Sequence, residues 1–326
     1  MSKFLRSAAG LVSGVLAASM FAAGASAAPA EPRIEAAARV AHAAQTKFLA
    51  AARAGERLVA VGDHGAVLLS DDSGKSWRQA RTVPVDVQLN AVSFADARRG
   101  WAAGHWGVVL HTEDGGETWS VQRQAPQEDR PLFGVHFFDA QQGIAVGLWS
   151  LVLVTGDGGK TWKPVTLPLP EGARKADLNL YGLFATPKGE VYATSERGTL
   201  VRSADRGQTW SYVATGYKGS FWTGTGLADG SVVVAGLRGT VYRSADGVTG
   251  WTRVDSGAST SIVGIATGAQ GGSVVAASVD GAILRSADAG LTFKREAPKP
   301  GAEALTALLL AKDGREIVFS RQGPLR

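Results

Sequence analysis

Cysteine is absent from the 326-residue sequence, and only five histidines are present. The first absence excludes disulfides, thiolate metal sites and a lipid-modified N-terminal cysteine. The histidines do not form an HExxH motif or a similar metal-binding spacing, so no metal ion is predicted. They lie at the following positions: His42, His64, His105, His111 and His136.

Charge is sparse as well. Charged residues make up 19% of the sequence, and the net charge of +5 falls to +3 if Lys3 and Arg6 are removed with residues 1–27. This basic excess is too small to predict a nucleic-acid partner. No glycine-rich phosphate-binding loop follows a strand and opens a helix, so neither a nucleotide nor another cofactor is predicted.

Glycine, in contrast, is abundant at 42 residues, as is typical of an all-β protein with many turns. One turn motif, Ser/Thr-x-Asp-x-Gly-x-Thr-Trp, recurs along the chain, and its central aspartates are separated by 41 to 48 residues. A nearly constant spacing of this size indicates a repeat architecture. The six aspartates are Asp72, Asp114, Asp157, Asp205, Asp246 and Asp288.

The chemistry of this motif favours a structural turn. An aspartate carboxylate accepts hydrogen bonds from backbone amides of its own turn, and the glycine two residues later suits a left-handed backbone. The tryptophan offers a large apolar face to a neighbouring layer. We therefore predict that the motif joins two strands, with catalysis by these aspartates as the alternative. The fifth copy has Val248 in place of the glycine, and the sixth has Phe293 in place of the tryptophan.

The second repeat is the clearest and contains four β-type segments. They are residues 89–94, 100–104, 108–111 and 119–122, separated by turns. Four short strands in each period of about 42 residues predict one blade of a β-propeller. The first strand, and the turn between the second and third strands, both occur seven times between residues 46 and 326. We therefore predict an all-β, seven-bladed β-propeller of four-stranded antiparallel blades.

The N-terminal residues carry two further predictions. Residues 1–27 combine a basic start, an apolar run and a small-x-small site at Ala25-Ser26-Ala27, which is typical of a cleaved secretory signal; a membrane anchor is the alternative. The last blade has no Asp turn, so residues 31–45, within the segment 28–45, are predicted to supply its outer strand and close the ring. Their alanine-rich composition makes a helix that caps the ring the alternative.

A family resemblance rests on two phrases, AVSFADARRGWAAGHWGVVLHTEDGGETW and GVHFFDAQQGIAVGLWSLVLVTGDGGKTW. They resemble the photosystem II stability/assembly factor-like family of BNR/Asp-box propellers, and the resemblance covers residues 46–326. It implies a non-enzymatic propeller that binds a protein partner and acts outside the cytoplasm as an assembly or stability factor for a membrane complex. Together with signal cleavage, it predicts a soluble, monomeric, periplasmic protein without a membrane anchor. Photosynthetic members often carry a lipid-anchored cysteine, which this sequence lacks.

The alternative is a carbohydrate-active Asp-box propeller, either a sialidase-like glycoside hydrolase or a lectin. A sialidase needs three arginines around a carboxylate, a Tyr/Glu nucleophile pair and an Asp acid. Arg202, Arg243 and Arg285 recur at equivalent places on third strands, so we interpret them as structural or surface residues. The Phe/Tyr-Arg-Ile-Pro phrase of sialidases does not occur. Enzymatic activity is therefore not predicted.

One face of the predicted ring is the candidate partner-binding face. It carries the turns between second and third strands together with the starts of the inner strands. Arginine and tryptophan are enriched at protein interfaces, and both recur on this face. Burial of the aromatic side chains against loops and between blades is the alternative. The turn residues are His64, His105, Trp106, Trp149, Arg197, Arg238 and Arg321, and the inner-strand aromatics are Phe48, Phe133, Tyr181 and Trp222.

The signal sequence gives the first testable prediction. We expect the exported protein to begin at or near Ala28, because a later cut would place Pro29 at the new N-terminus. N-terminal sequencing of the protein from the periplasmic fraction measures this directly. A membrane-bound product that retains residues 1–27 would contradict the prediction.

Overall fold

The computed structural model describes residues 34–170, 172, 174–268, 272–298 and 301–325. The predicted signal sequence and its predicted cleavage site lie outside these residues. Seven antiparallel sheets follow one another along the chain, six with four strands and the last with three. The predicted seven-bladed β-propeller is confirmed. None of the helices in the described part of the chain has the length and hydropathy needed to cross a membrane.

The strands are given from the central channel outwards, for blades one to seven in chain order. The inner strands are Phe48–Ala54, Leu89–Phe94, Leu132–Phe137, Leu180–Ala185, Phe221–Gly226, Ile262–Thr267 and Leu305–Leu310. The second strands are Arg57–Gly62, Gly100–Gly104, Gly143–Gly147, Val191–Ser195, Val232–Gly236, Val274–Ser278 and Glu316–Ser320. The third strands are Val67–Ser70, Val109–Thr112, Val152–Thr155, Thr199–Ser203, Val241–Ser244, Ile283–Ser286 and Gly323–Pro324. The outer strands are Arg78–Gln79, Ser120–Arg123, Lys163–Pro164, Ser211–Ala214, Thr252–Val254 and Lys294–Glu296.

Single 3₁₀ turns are the only helical elements among the described residues. They are Ala43–Gln45, Asp63–Gly65, His105–Gly107, Leu148–Ser150 and Leu237–Gly239. The last four connect second and third strands. The second strands are buried along nearly their whole length, which explains continuous apolar runs such as Val232–Gly236. Each blade is therefore covered on both faces by its neighbours in the ring.

The structure does not place residues 34–45 in the sheet of blade seven, so the predicted outer strand is not found; residues 31–33 lie outside the described residues. The segment instead follows the edge of blade one, where the Ala37 amide donates to the Val83 carbonyl at 3.0 Å. Its end, the turn Ala43–Gln45, packs against the third strand of blade seven without joining the sheet. The outer strand there has only two residues, and the Gln79 side chain bonds the Ala38 carbonyl at 2.8 Å. The turn Ala43–Gln45 is the only helical part of the segment, so the capping helix is not found either.

The Asp turns share one set of hydrogen bonds. In blade two, the Asp114 carboxylate accepts from the Thr118 amide at 2.9 Å, the Thr118 hydroxyl at 2.6 Å and the Thr112 hydroxyl at 2.8 Å. Equivalent bonds occur around Asp72, Asp157, Asp205 and Asp288. In the altered fifth copy, Asp246 accepts from the amides of Val248 and Thr249 at 2.8 and 2.7 Å. The carboxylate thus replaces the missing backbone partners of a tight turn.

In blade two, the glycine and tryptophan of the turn attach the blade to the one before it. Gly116 has a φ of 91°, and a Cβ atom there would lie 3.1 Å from Leu69 of blade one. The Trp119 indole donates to the Gly116 carbonyl at 2.9 Å, and its ring packs in the core shared by blades one and two. A larger residue in place of this glycine would strain the left-handed backbone and crowd the Leu69 side chain. The Asp turns therefore order the contacts between blades as well as their own loops.

The hydrogen bonds of these turns also control the titration of the carboxylates. The Ser76 hydroxyl and amide lower the pKa of Asp72 to about 2. Thr161 lowers the pKa of Asp157 to about 2 in the same way. Burial opposes the shift at Asp114, yet bonds from Thr118 and Thr112 hold its pKa below the usual value. These carboxylates have a lower pKa in the folded protein than in the unfolded chain, where it is about 3.9. Their ionised forms therefore stabilise the folded protein at pH values above about 3.9, and this stabilisation is lost as the pH falls through the folded pKa.

We expect Asp114→Ala to lower the free energy of unfolding by about 1–3 kcal/mol at pH 7, because the turn donors lose their acceptor. The difference from the unsubstituted protein should shrink as the pH falls through the lowered pKa of Asp114, because the carboxylate then becomes protonated. Urea unfolding at several pH values measures both effects. Glu113→Ala, an exposed change in the same turn, is the matched control and should have little effect. Equal stability of Asp114→Ala and the unsubstituted protein at pH 7 would contradict the assignment.

Candidate functional site

The turns between second and third strands share one face of the ring, which we call the turn face. In five blades the residue at the tip of the turn is not glycine although its backbone is left-handed, with φ between 53° and 60°. Such residues are uncommon and often mark functional positions. Blade three adds a second one, Ser150, where the other four blades have glycine. The five tip residues are His64, Trp106, Trp149, Arg197 and Arg238.

The two predicted turn tryptophans differ in exposure. Trp149 is 55% exposed, and its amide donates to the Asn179 side chain at 3.3 Å. Trp106 is half-buried and packs against the core shared by blades one and two. The adjacent His105 is also half-buried, with its Nε2 atom 3.3 Å from the Gln88 side-chain nitrogen. The alternative interpretation, burial against neighbouring residues, therefore applies to Trp106. Trp149, in contrast, is available to a partner.

A register shift occurs at the start of every inner strand. In each blade it falls around the second strand residue, so that this residue bulges from the ladder. A bulge redirects its side chain, and these seven residues surround the turn-face mouth of the channel. They are Leu49, Asn90, Phe133, Tyr181, Trp222, Val263 and Thr306.

Three aromatic residues occupy this position in consecutive blades, and we call Phe133, Tyr181 and Trp222 the aromatic arc. The ring centroids of Phe133 and Tyr181 are 6.3 Å apart. Phe48 does not belong with them. It is the first residue of its strand, is fully buried, and lies 6.1 Å from the ring of Phe319 between blades one and seven. The binding-face interpretation of Phe48 is therefore wrong, and its role is in the core.

Beside the aromatic arc lies a pocket of about 860 Å³, which we call the rim pocket. The neighbouring channel has a volume of about 720 Å³ and is lined mainly by aliphatic residues and glycine. The rim pocket crosses four consecutive blades of the ring, blades five, six, seven and one, at the edge of the channel. Its principal residues are Trp222 and Arg238 of blade five, Val263 and Val279 of blade six, Thr306 and Arg321 of blade seven, and Lys47 and Asp63 of blade one.

The rim pocket is electropositive. The Lys47 Nζ atom forms a salt bridge with the Asp63 Oδ2 atom at 3.3 Å. Neither Arg238 nor Arg321 has an acidic partner among the described residues, and both are exposed. Two unpaired guanidinium groups beside an indole ring are suited to bind carboxylates. Arg197 lies in blade four outside the pocket, with Asp177 at 4.0 Å.

The third-strand arginines behave differently. Arg202 is paired with Glu190, and Arg285 with Glu296 at 2.8 Å. Arg243 donates to the Ala289 carbonyl of the next blade at 2.7 Å. They therefore stabilise separate parts of the ring and do not surround one ligand.

Carboxylates are scarce in the two cavities. Asp63 is the single acidic residue among the described residues that line the channel and the rim pocket. A glycoside hydrolase uses two carboxyl groups across its substrate. The described residues also contain no cluster of three or more His, Asp or Glu side chains able to hold a metal ion. The arrangement is suited to binding an anionic, partly apolar chain.

Sequence patterns alone miss several pocket residues. Lys47, Val263 and Thr306 do not stand out by type. Their position in the repeat is the signal that could have identified Val263 and Thr306, because the bulged residue directly follows the first buried residue of each inner strand. Aligning the seven strands on that buried residue would have found Val263 and Thr306, and would have separated Phe48 from the aromatic arc.

The sequence matches one known protein family, and the structure is similar to those of solved β-propellers. The sequence matches the family described as photosynthesis system II assembly factor YCF48 over residues 51–127 and 122–325. A structure of YCF48 bound to D1 peptide is 19% identical, with a TM-score of 0.71, covering 90% of this chain and 98% of that one. YCF48 from Cyanidioschyzon merolae is 18% identical, with a TM-score of 0.68, covering 86% and 94%. The WD40 propeller domain of Doa1 is 14% identical, with a TM-score of 0.66, covering 85% and 90%. At these identities the structural likeness establishes the fold alone. The comparison with curated proteins found no match.

The exposure of Trp149 gives a direct test of the site geometry. We expect Trp149→Phe to remove a large part of the tryptophan emission that acrylamide quenches, because this indole is exposed. Trp106→Phe should remove much less, since that ring is packed against the core. Stern–Volmer quenching of the two variants measures the difference. The opposite order would contradict the described turn face.

Proposed function

The chain belongs to the family of the photosynthesis system II assembly factor YCF48, and we propose that it is a non-enzymatic propeller that binds an extended segment of a protein partner on its turn face. The structure of a family protein with a D1 peptide supports a peptide as the ligand. The absence of a second carboxylate among the described residues of the cavities favours binding over hydrolysis.

The observation that carries this proposal is the aromatic arc beside two unpaired arginines. Aromatic rings supply large contact areas with little loss of side-chain freedom, and arginine forms paired hydrogen bonds with carboxylates. A segment that is acidic at one end and apolar at the other complements the two parts of the surface. Its acidic part would lie in the rim pocket and its apolar part over Phe133 and Tyr181. The exposed Trp149 then extends the apolar part outwards.

We also propose that the protein acts after export, as a soluble monomer in the periplasm. The basic start, apolar run and small-x-small site of residues 1–27 support this location. There it would hold an extracytoplasmic segment of a membrane complex during assembly. Holding requires reversible binding and no chemical step, which agrees with a surface of aromatic and basic side chains.

A labelled twelve-residue peptide of Asp, Glu, Leu and Phe provides the test. We expect Arg238→Glu with Arg321→Glu to weaken binding by more than tenfold, because two attractive charges become repulsive, and we expect the loss to diminish at high salt. Trp222→Ala should weaken binding to a similar degree with little salt dependence. Fluorescence anisotropy at two ionic strengths measures both effects.

The controls lie outside the rim pocket. Lys75→Glu with Lys160→Glu reverses two exposed charges on the Asp-turn face and should leave binding unchanged. Arg197→Glu tests a turn-face arginine that already has an acidic neighbour and should have a small effect. Loss of binding in the Lys75/Lys160 variant, with binding retained in the Arg238/Arg321 variant, would place the ligand on the wrong face for this proposal.

A further inference from the structure

The ring has one junction without a covalent connection. Each of the first six blades is joined to the next by the chain that leaves its outer strand. Blades seven and one contain the two ends of the ring, and in the described residues each sheet consists only of strands consecutive in sequence. Within the described residues, neither blade therefore contributes a strand to the sheet of the other. This junction depends on non-covalent contacts alone.

Those contacts lie at three heights, and the 3₁₀ turn Ala43–Gln45 adds to them by packing against the third strand of blade seven. On the turn face, the Thr306 hydroxyl donates to the Phe48 carbonyl at 2.6 Å. In the middle, the Phe319 ring lies 6.1 Å from Phe48 and 5.5 Å from Trp77. On the opposite face, Lys312 pairs with Glu56, and both side chains are about 70% exposed. Exposed ion pairs contribute little, so apolar packing in the core that contains Phe48, Ala60 and Phe319 holds most of the junction together.

The rim pocket lies directly over this junction. Lys47 and Asp63 reach it from blade one, and Thr306 and Arg321 from blade seven. Arg238 lies on blade five, away from the junction. A ligand that fills the pocket therefore contacts both ends of the ring at once.

We propose that occupation of the rim pocket and closure of the ring are coupled: the bound partner bridges the first and last blades, and opening of this junction releases it. The inference rests on the proposed function. In repeat architectures neighbouring units interact mainly pairwise, so the junction without a linker is the place where local opening costs least. A ligand that binds only the closed ring lowers the open population, and opening lowers the affinity by the same factor.

The absence of cysteine allows a clean measurement of opening. Ala60 and Ala145 occupy equivalent positions on second strands, and both are fully buried. Ala60 packs in the core between blades seven and one, whereas Ala145 packs between blades two and three. A thiol reagent can reach a cysteine at either position only after the local packing opens. Ala60→Cys is therefore the reporter, and Ala145→Cys is its matched control.

We expect Ala60→Cys to be labelled about tenfold faster than Ala145→Cys in the free protein, and saturating acidic peptide to slow Ala60→Cys by about tenfold. Adding Arg238→Glu to Ala60→Cys should abolish this slowing without changing the labelling rate of the free protein. Ala307→Cys, which reports the same junction from blade seven, replaces Ala60→Cys if that variant does not fold.

The outcomes separate the two claims. Equal labelling of reporter and control in the free protein would overturn the inference, as would peptide binding that leaves the reporter's rate unchanged. Either result would leave the proposed function standing. Failure of the peptide to bind the unsubstituted protein at all would overturn the proposed function and the inference with it.

Discussion

Mutual coverage of the blades is the constraint on which the rest of the structure depends. In blades one to six the second strand is buried along nearly its whole length, so each of these small sheets requires a neighbour on both sides. The Asp turns supply that contact in an ordered way, because Gly116 and Trp119 pack on blade one while Asp114 fixes the turn that holds them. The geometry of the ring then follows from repeating this contact, and the channel and the turn face follow from the ring.

The binding surface arises from a small departure from regular pairing. A bulge at the second residue of each inner strand turns seven side chains towards the mouth of the channel. Some of them tie blades together, as Asn90 does by donating to the Leu132 carbonyl at 2.8 Å. In blades three to five the same position holds the aromatic arc. The bulge is thus a scaffold feature that can be filled with structural or with binding residues.

How much the sequence predicts depends on whether a feature is local. The Asp turns are predictable because donors, acceptor and glycine lie within eight residues, and even the altered copy at Asp246 keeps its hydrogen bonds. The path of residues 34–45 is not predictable from local sequence. It depends on the short outer strand of blade one and on the Val83 carbonyl, and both are distant in sequence from this segment. The same holds for Trp106 and Trp149. They occupy equivalent turns, and only packing against blade one distinguishes the half-buried ring from the exposed one.

We propose that a partner segment binds across the turn face, from the aromatic arc into the rim pocket. A crystal structure of this protein with the acidic peptide tests it most directly. We expect a peptide carboxylate about 3 Å from the guanidinium of Arg238 or Arg321, with an apolar side chain against Trp222 or Tyr181. A peptide bound on the Asp-turn face, or along the outer strands with the rim pocket empty, would contradict it.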